Sequence, residues 1–181
     1  MRYGARTFEA MATLLPPLLL TGGPAAGKTV TARFLAETTP RTGYLDVDDI
    51  RQLVKNGGAA PWDGTEGKAQ QVLGVRNAAA LARNFAGAGF NVTITDVIDT
   101  VTPRSTGGPL PDVFVVRLAI SLDAAWGRAR TRDVHLTDAE FDMLHARQLA
   151  ALEVDEELDV THLDRARQAQ SVEPLWTRRL R

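Results

Sequence analysis

Leu18–Thr21 is a short apolar run, preceded by Pro16 and Pro17 and stopped by Gly22 and Gly23. A continuous run of this length reads as a central strand covered on both faces. Lys28–Glu37 then reads as a helix with Val30, Phe34 and Leu35 inward, ended near Pro40, since proline cannot continue it. Gly43–Asp46 is a second short strand, and Asp48–Lys55 a short helix closed by Asn56, Gly57 and Gly58. After a loop holding Pro61, Trp62 and Gly64 comes the longest helix, Glu66–Ala86. Val72, Val75, Ala79, Ala82 and Ala86 recur there at steps of three and four and line one face. Gly74 lies inside that helix at a cost of about 1 kcal/mol relative to alanine, which points to a close approach by another segment.

Phe90–Thr95 alternates as a third strand that finishes at Asp96, and Val113–Ile120 forms a fourth. Ser121 suits the cap of a helix running to about Arg130. Thr137 and Glu140 have capping-box spacing, with Leu136 and Phe141 as the hydrophobic staple of a helix continuing to about Leu152. Leu158–Leu163 reads as a fifth strand and Val172–Leu180 as a last short helix. Strands and helices alternate throughout, which predicts an α/β fold: a five-stranded parallel sheet with helices on both faces.

Composition adds limits. The 181 residues, 44% of them apolar, suffice for one domain with its own core. Residues 14–181 are expected to form that domain and residues 1–13 a loosely held leader, with Met1 or Met11 as the natural start. With 21 basic and 22 acidic residues the net charge is -1, which argues against a nucleic-acid or membrane-surface coat. No apolar run is long enough to span a bilayer. The chain has no cysteine, which excludes thiolate chemistry and suits a cytoplasmic protein. His135, His145 and His162 lack metal-ligand spacing with one another. His135 is expected near a lid, and His145 and His162 in structural places, on a helix and a strand. Trp126 and Trp176 read as packing residues.

The chemistry begins at Gly22–Thr29, which matches G-x-x-x-x-G-K-[ST] between a strand and a helix start. Gly22, Gly23, Pro24, Ala25, Ala26 and Gly27 turn the backbone so that its amides form an anion nest. The helix through Val30 adds its dipole and unpaired amides. Lys28 then reaches the β and γ phosphates of a nucleotide, and the Thr29 hydroxyl ligates Mg2+. ATP with Mg2+ is the expected cofactor.

The second cluster is Asp46, Asp48, Asp49 and Arg51 at the end of the second strand. Asp48 projects into the crevice at the carboxyl edge of the sheet, where open α/β folds bind ligands. Phosphoryl transfer to a hydroxyl needs a carboxylate there to position the oxygen and take its proton. Asp48 also suits the cap of the short helix, and the two roles are compatible.

A P-loop, a strand and then Asp46-Val47-Asp48-Asp49-Ile50-Arg51 resemble the small-molecule and 5′-hydroxyl kinases of the P-loop superfamily. These include polynucleotide 5′-kinase, adenylylsulfate kinase, shikimate kinase, zeta toxins and chloramphenicol phosphotransferase-like proteins. The resemblance covers about Leu18 to Leu163 and implies a nucleoside-monophosphate/shikimate kinase-like fold with a lid around residues 128–138. It implies Asp48 as base, Arg51 on the acceptor, Asp46 supporting Mg2+ through water, and Asp96 as the Walker B acid. Arg128 and Arg132 resemble lid arginines that grip the triphosphate with their planar forks. Arg76 and Asn77 fall where related kinases place acceptor contacts, and a solvated helix face is the alternative. His162 or Arg165 is expected near the adenine. Trp62 sits in a loop beside the expected acceptor cleft and suits stacking on a flat ring. The stretch from Trp62 to Asn77, with the lid helix, most resembles the chloramphenicol phosphotransferase-like proteins, whose acceptors are diverse.

The first expectation is therefore a kinase acting on a small-molecule hydroxyl: a nucleoside, a sugar nucleotide or an antibiotic, as in antibiotic resistance. It would act as a monomer or homodimer. The alternatives are a polynucleotide 5′-hydroxyl kinase, disfavoured by the charge, and a nucleotide-binding regulatory module.

Overall fold

The computed structural model describes residues 14–97, 112–131, 136–148 and 153–179. The expected leader, Arg132, His135 and the end of the lid helix lie outside them. The described chain builds a five-stranded parallel sheet in the order β2-β3-β1-β4-β5. β1 (Leu18–Gly22) lies at its centre, between β3 (Asn91–Thr95) and β4 (Phe114–Ala119). β2 (Thr42–Asp46) and β5 (Glu156–Asp159) form the edges. Leu19 pairs with Ile94 on one side and Val115 on the other.

The period of two sorts the strand residues between two cores. Leu18, Leu20, Phe114, Val116 and Leu118 face one cluster, closed by Leu35, Ala125, Phe141, Val172 and Trp176. These come from α1 (Lys28–Thr38), α4 (Leu122–Ala129), α5 (Asp138–Gln148) and α6 (Arg165–Thr177). Leu19, Val92, Ile94, Val113 and Val115 face the other cluster. That one is closed by α2 (Val47–Arg51) and α3 (Gly64–Gly87). Because both faces of β1 are covered, all of its residues are buried, and Leu18–Leu20 run apolar without alternation.

Several expectations need correction. α1 buries Thr31, Ala32 and Leu35, while Val30 and Phe34 remain 38% and 42% exposed. The helix lies close to the sheet through a small residue, with the Thr93 hydroxyl donating to the Ala32 carbonyl at 3.0 Å. The short helix after β2 stops at Arg51, well before Lys55. α6 starts at Arg165, where Asp164 caps it through the Arg167 N–H at 2.8 Å, and Pro174 lies inside it. β5 is an acidic edge strand that ends at Asp159, so His162 is in the following turn and exposed. Other local readings match. Ser121 caps α4, and Thr137 and Glu140 form the reciprocal capping box. Trp126 stacks on Phe141, and the buried Trp176 donates to the Pro16 carbonyl at 2.7 Å. His145 is buried and donates Nε2–H to the Ile120 carbonyl at 2.9 Å.

Candidate functional site

The carboxyl ends of β1, β2 and β3 converge on one crevice. At its floor Gly22–Gly27 turn from β1 into α1. Gly27 is the α1 N-cap with φ 91°, a left-handed conformation that glycine adopts without strain. Its lack of a side chain leaves α1 without a side-chain cap, and no acidic residue occupies the first turn. A helix start so built presents unpaired amides and a positive dipole end to an anion. Lys28 Nζ donates to the Gly22 and Gly23 carbonyls at 2.8 and 3.0 Å, which holds the ammonium over the loop.

β2 delivers the acids. Asp46, rather than Asp48, caps α2: its Oδ1 accepts from the Asp48 N–H at 3.0 Å. That leaves the Asp48 carboxylate facing the crevice, where Arg51 donates to its Oδ1 at 2.8 Å. Partial desolvation raises the Asp48 pKa against the pull of Arg51, with Asp46 adding to the rise and Lys28 opposing it. Lys28 and Asp48 are thus within electrostatic reach of one another. Arg51 also donates to the Ala59 carbonyl at 3.4 Å. Gly74 is explained here, because a Cβ on it would lie 2.6 Å from Arg51 Cγ.

Asp96 follows β3 and is 4% exposed. Its Oδ1 accepts from Gln71 Nε2 at 3.0 Å and from the Val97 N–H at 2.7 Å, while Oδ2 is buried with no partner. Burial, reinforced by Asp48, pushes its pKa up to about 7. The Thr29 hydroxyl, Asp46 and Asp96 offer hard oxygen donors of the kind magnesium takes, and the orphaned Oδ2 fits a cation or its water. No cluster of three or more His, Cys, Asp or Glu among the described residues is arranged to hold a metal alone. Nucleotide-bound magnesium needs only one or two protein oxygens beside the phosphates.

On the α3 side, Gln70 ties down the loop before the helix. Its amide donates to the Gly57 carbonyl at 2.8 Å and accepts from the Ala59 N–H at 2.9 Å. Trp62 lies half-buried in that loop. Arg76 and Asn77 are exposed on α3, and Arg76 projects away from the face carrying Gln71 and Gly74. On the opposite side of the P-loop, Arg128 is tethered rather than free. It donates to the Val160 and Leu163 carbonyls at 2.6 and 2.8 Å and approaches the Ala25 and Ala26 carbonyls at 3.5 Å. Gln168 donates to the Ala26 carbonyl at 3.0 Å and to Thr31 Oγ1 at 2.8 Å. Between these groups is a cavity of about 280 Å³, lined also by Val30, Asp164 and Arg165. A second cavity, of about 240 Å³, opens beside Gly23 and is lined by Arg117, His145 and Glu157.

Sequence reasoning missed Gln71, Thr95, Gln168 and Tyr44. Tyr44 alone had a signal: two residues before Asp46 on a strand, it must share that residue's face.

No family model matches the chain, and no curated protein matches it. Solved structures do. A sugar kinase from Janibacter sp. HTCC2649, in an unliganded structure, is similar at 22% identity, with 91% of this chain and 95% of that chain covered and a TM-score of 0.66. The tunicamycin resistance protein of Deinococcus radiodurans is similar at 18% identity, covering 88% and 95%, with a TM-score of 0.59. A shikimate kinase from Bacteroides thetaiotaomicron is similar at 14% identity, covering 89% and 98%, with a TM-score of 0.60. At these identities the likeness is one of fold, and by it the chain has the α/β fold of the P-loop kinases.

Proposed function

We propose that the chain is an ATP-dependent phosphotransferase that moves the γ-phosphate to a hydroxyl of a small molecule. The observation that supports this reading is the P-loop ammonium of Lys28 held over Gly22 and Gly23, with the Asp48 carboxylate just beyond the end of β2 within its electrostatic reach. The P-loop amides and Lys28 would hold the triphosphate. Bound Mg2+ would supply charge neutralisation of the phosphates, and Thr29, Asp46 and Asp96 are the residues that would hold it. The cavity between Arg128, Gln168 and Arg165 suits the nucleotide base.

Asp48 would orient the acceptor hydroxyl and take its proton. Its pKa, raised by the crevice, makes it a better base than an ordinary exposed carboxylate. Arg51, held by Asp48 and the Ala59 carbonyl, would fix Asp48 and reach the acceptor. Trp62, half-buried in the loop before α3, would give the acceptor's body a wall. Arg132 would brace the phosphates from the lid side, Arg128 would hold the P-loop in shape through its carbonyl bonds, and Asn77 would stand at the rim. The names of the solved relatives favour a sugar-like or antibiotic acceptor over a nucleic acid. The test is phosphate transfer from γ-labelled ATP to a panel of nucleosides, sugars and antibiotics, with a 5′-hydroxyl oligonucleotide included. Transfer to a small molecule that Asp48→Asn abolishes supports the reading. ATP hydrolysis indifferent to every acceptor, or full transfer by Asp48→Asn, refutes it.

A further inference from the structure

Tyr44 has no place in the reading above, yet its hydroxyl touches more of the site than any other single atom of β2. The ring is half-buried against the core on the α1 side, with the Arg33 guanidinium 5.1 Å from its centroid. Thus the ring is held, and the hydroxyl sits where the ring puts it. It donates to Asp46 Oδ2 at 2.7 Å and lies 3.1 Å from Thr95 Oγ1.

A phenol has one proton and two lone-pair sites. A carboxylate oxygen can only accept, so the phenol proton belongs to Asp46. The phenol oxygen is then left as acceptor for the Thr95 hydroxyl proton. Asp46 is gripped at both oxygens, by Tyr44 on Oδ2 and by the Asp48 N–H on Oδ1. We propose that Tyr44 is a positioning residue that presets Asp46 for a divalent cation carried by the nucleotide, and so couples metal to nucleotide binding. This rests on the magnesium-nucleotide reading above. Groups that orient metal ligands from behind are worth about 10- to 100-fold in metal affinity.

The test is calorimetric titration of ATP into the wild type and Tyr44→Phe, once in MgCl2 and once in EDTA. The phenylalanine keeps the ring's packing and deletes only the hydroxyl. The wild type is expected to bind ATP more tightly with Mg2+. Tyr44→Phe should match it in EDTA within about twofold and lose about tenfold in Mg2+. The half-saturating Mg2+ concentration should rise by the same factor, with affinity recovered at high Mg2+. An unchanged ratio of the two affinities, or an equal loss in both media, overturns the inference and leaves Tyr44 a packing residue. A wild type that binds ATP in neither medium overturns instead the nucleotide reading; one that binds equally in both overturns the metal assignment. If Tyr44→Phe does not fold, Thr95→Val removes the hydroxyl that helps to orient the phenol. It should shift the ratio in the same direction by about threefold, and no shift overturns the proposal.

Discussion

The two sides of the P-loop are built on different terms. On the α4 and α6 side, polar side chains are spent on the chain itself: Arg128 on the Val160 and Leu163 carbonyls, Gln168 on Ala26 and Thr31. On the β2 and β3 side, Asp46, Asp48 and Asp96 crowd together, and Asp96 Oδ2, Gln71 Oε1 and Arg51 Nε are buried without partners. Among the described residues, one side is satisfied without a ligand and the other is not. Buried polar atoms normally find partners, so on the proposed reading the unsatisfied side is the one that would take metal, phosphate and acceptor. The satisfied side is a scaffold that holds the loop in shape for them.

The widest separation between the sides comes from a pair of substitutions. Asp48→Asn should cut phosphate transfer by about a hundred- to ten-thousandfold, with the thermal midpoint nearly unchanged. Arg128→Ala should do the reverse in emphasis. It strips the Val160 and Leu163 carbonyls of a charged donor, costing about 2 kcal/mol. The midpoint of the nucleotide-free protein should fall by roughly 4–8 °C. Differential scanning calorimetry beside a transfer assay reads both, and equal stability losses would erase the contrast.

A smaller effect comes from Asp96. Its carboxyl titrates near pH 7 in the folded chain and near 4 when unfolded. Between those values the folded state holds the extra proton, so the group stabilises the protein at low pH. That contribution is lost as pH rises through 7. Asp96→Asn should therefore raise the midpoint of the nucleotide-free protein more at pH 8 than at pH 5. A gain that is independent of pH would contradict the assigned burial.

What was legible in the sequence was local. The P-loop between strand and helix, the Thr137–Glu140 capping box and the Ser121 cap are patterns within a few residues, and each lies where expected. Asp46 and Asp48 were placed correctly at the strand end, but their division of labour was not, because only the backbone decides which of them caps α2. The rest depended on distant partners. Gln168 reaches the P-loop across 142 residues, and Gln71 reaches Asp96 from a helix whose polar positions all look alike in sequence. β5 was obscured because an edge strand can be acidic, and α6 because Pro174 lies inside it. Val30 and Phe34 were turned outward by the close seating of Ala32 on the sheet.

The central claim is that the Gly22–Thr29 loop holds the phosphates of a magnesium nucleotide beside Asp48. A crystal structure with Mg2+ and a non-hydrolysable ATP analogue tests it most directly. The account predicts phosphate density within the loop, Lys28 Nζ drawn from the Gly22 and Gly23 carbonyls toward a phosphate oxygen, and the metal on Thr29. A nucleotide bound elsewhere, or an empty loop at saturating analogue, would contradict it.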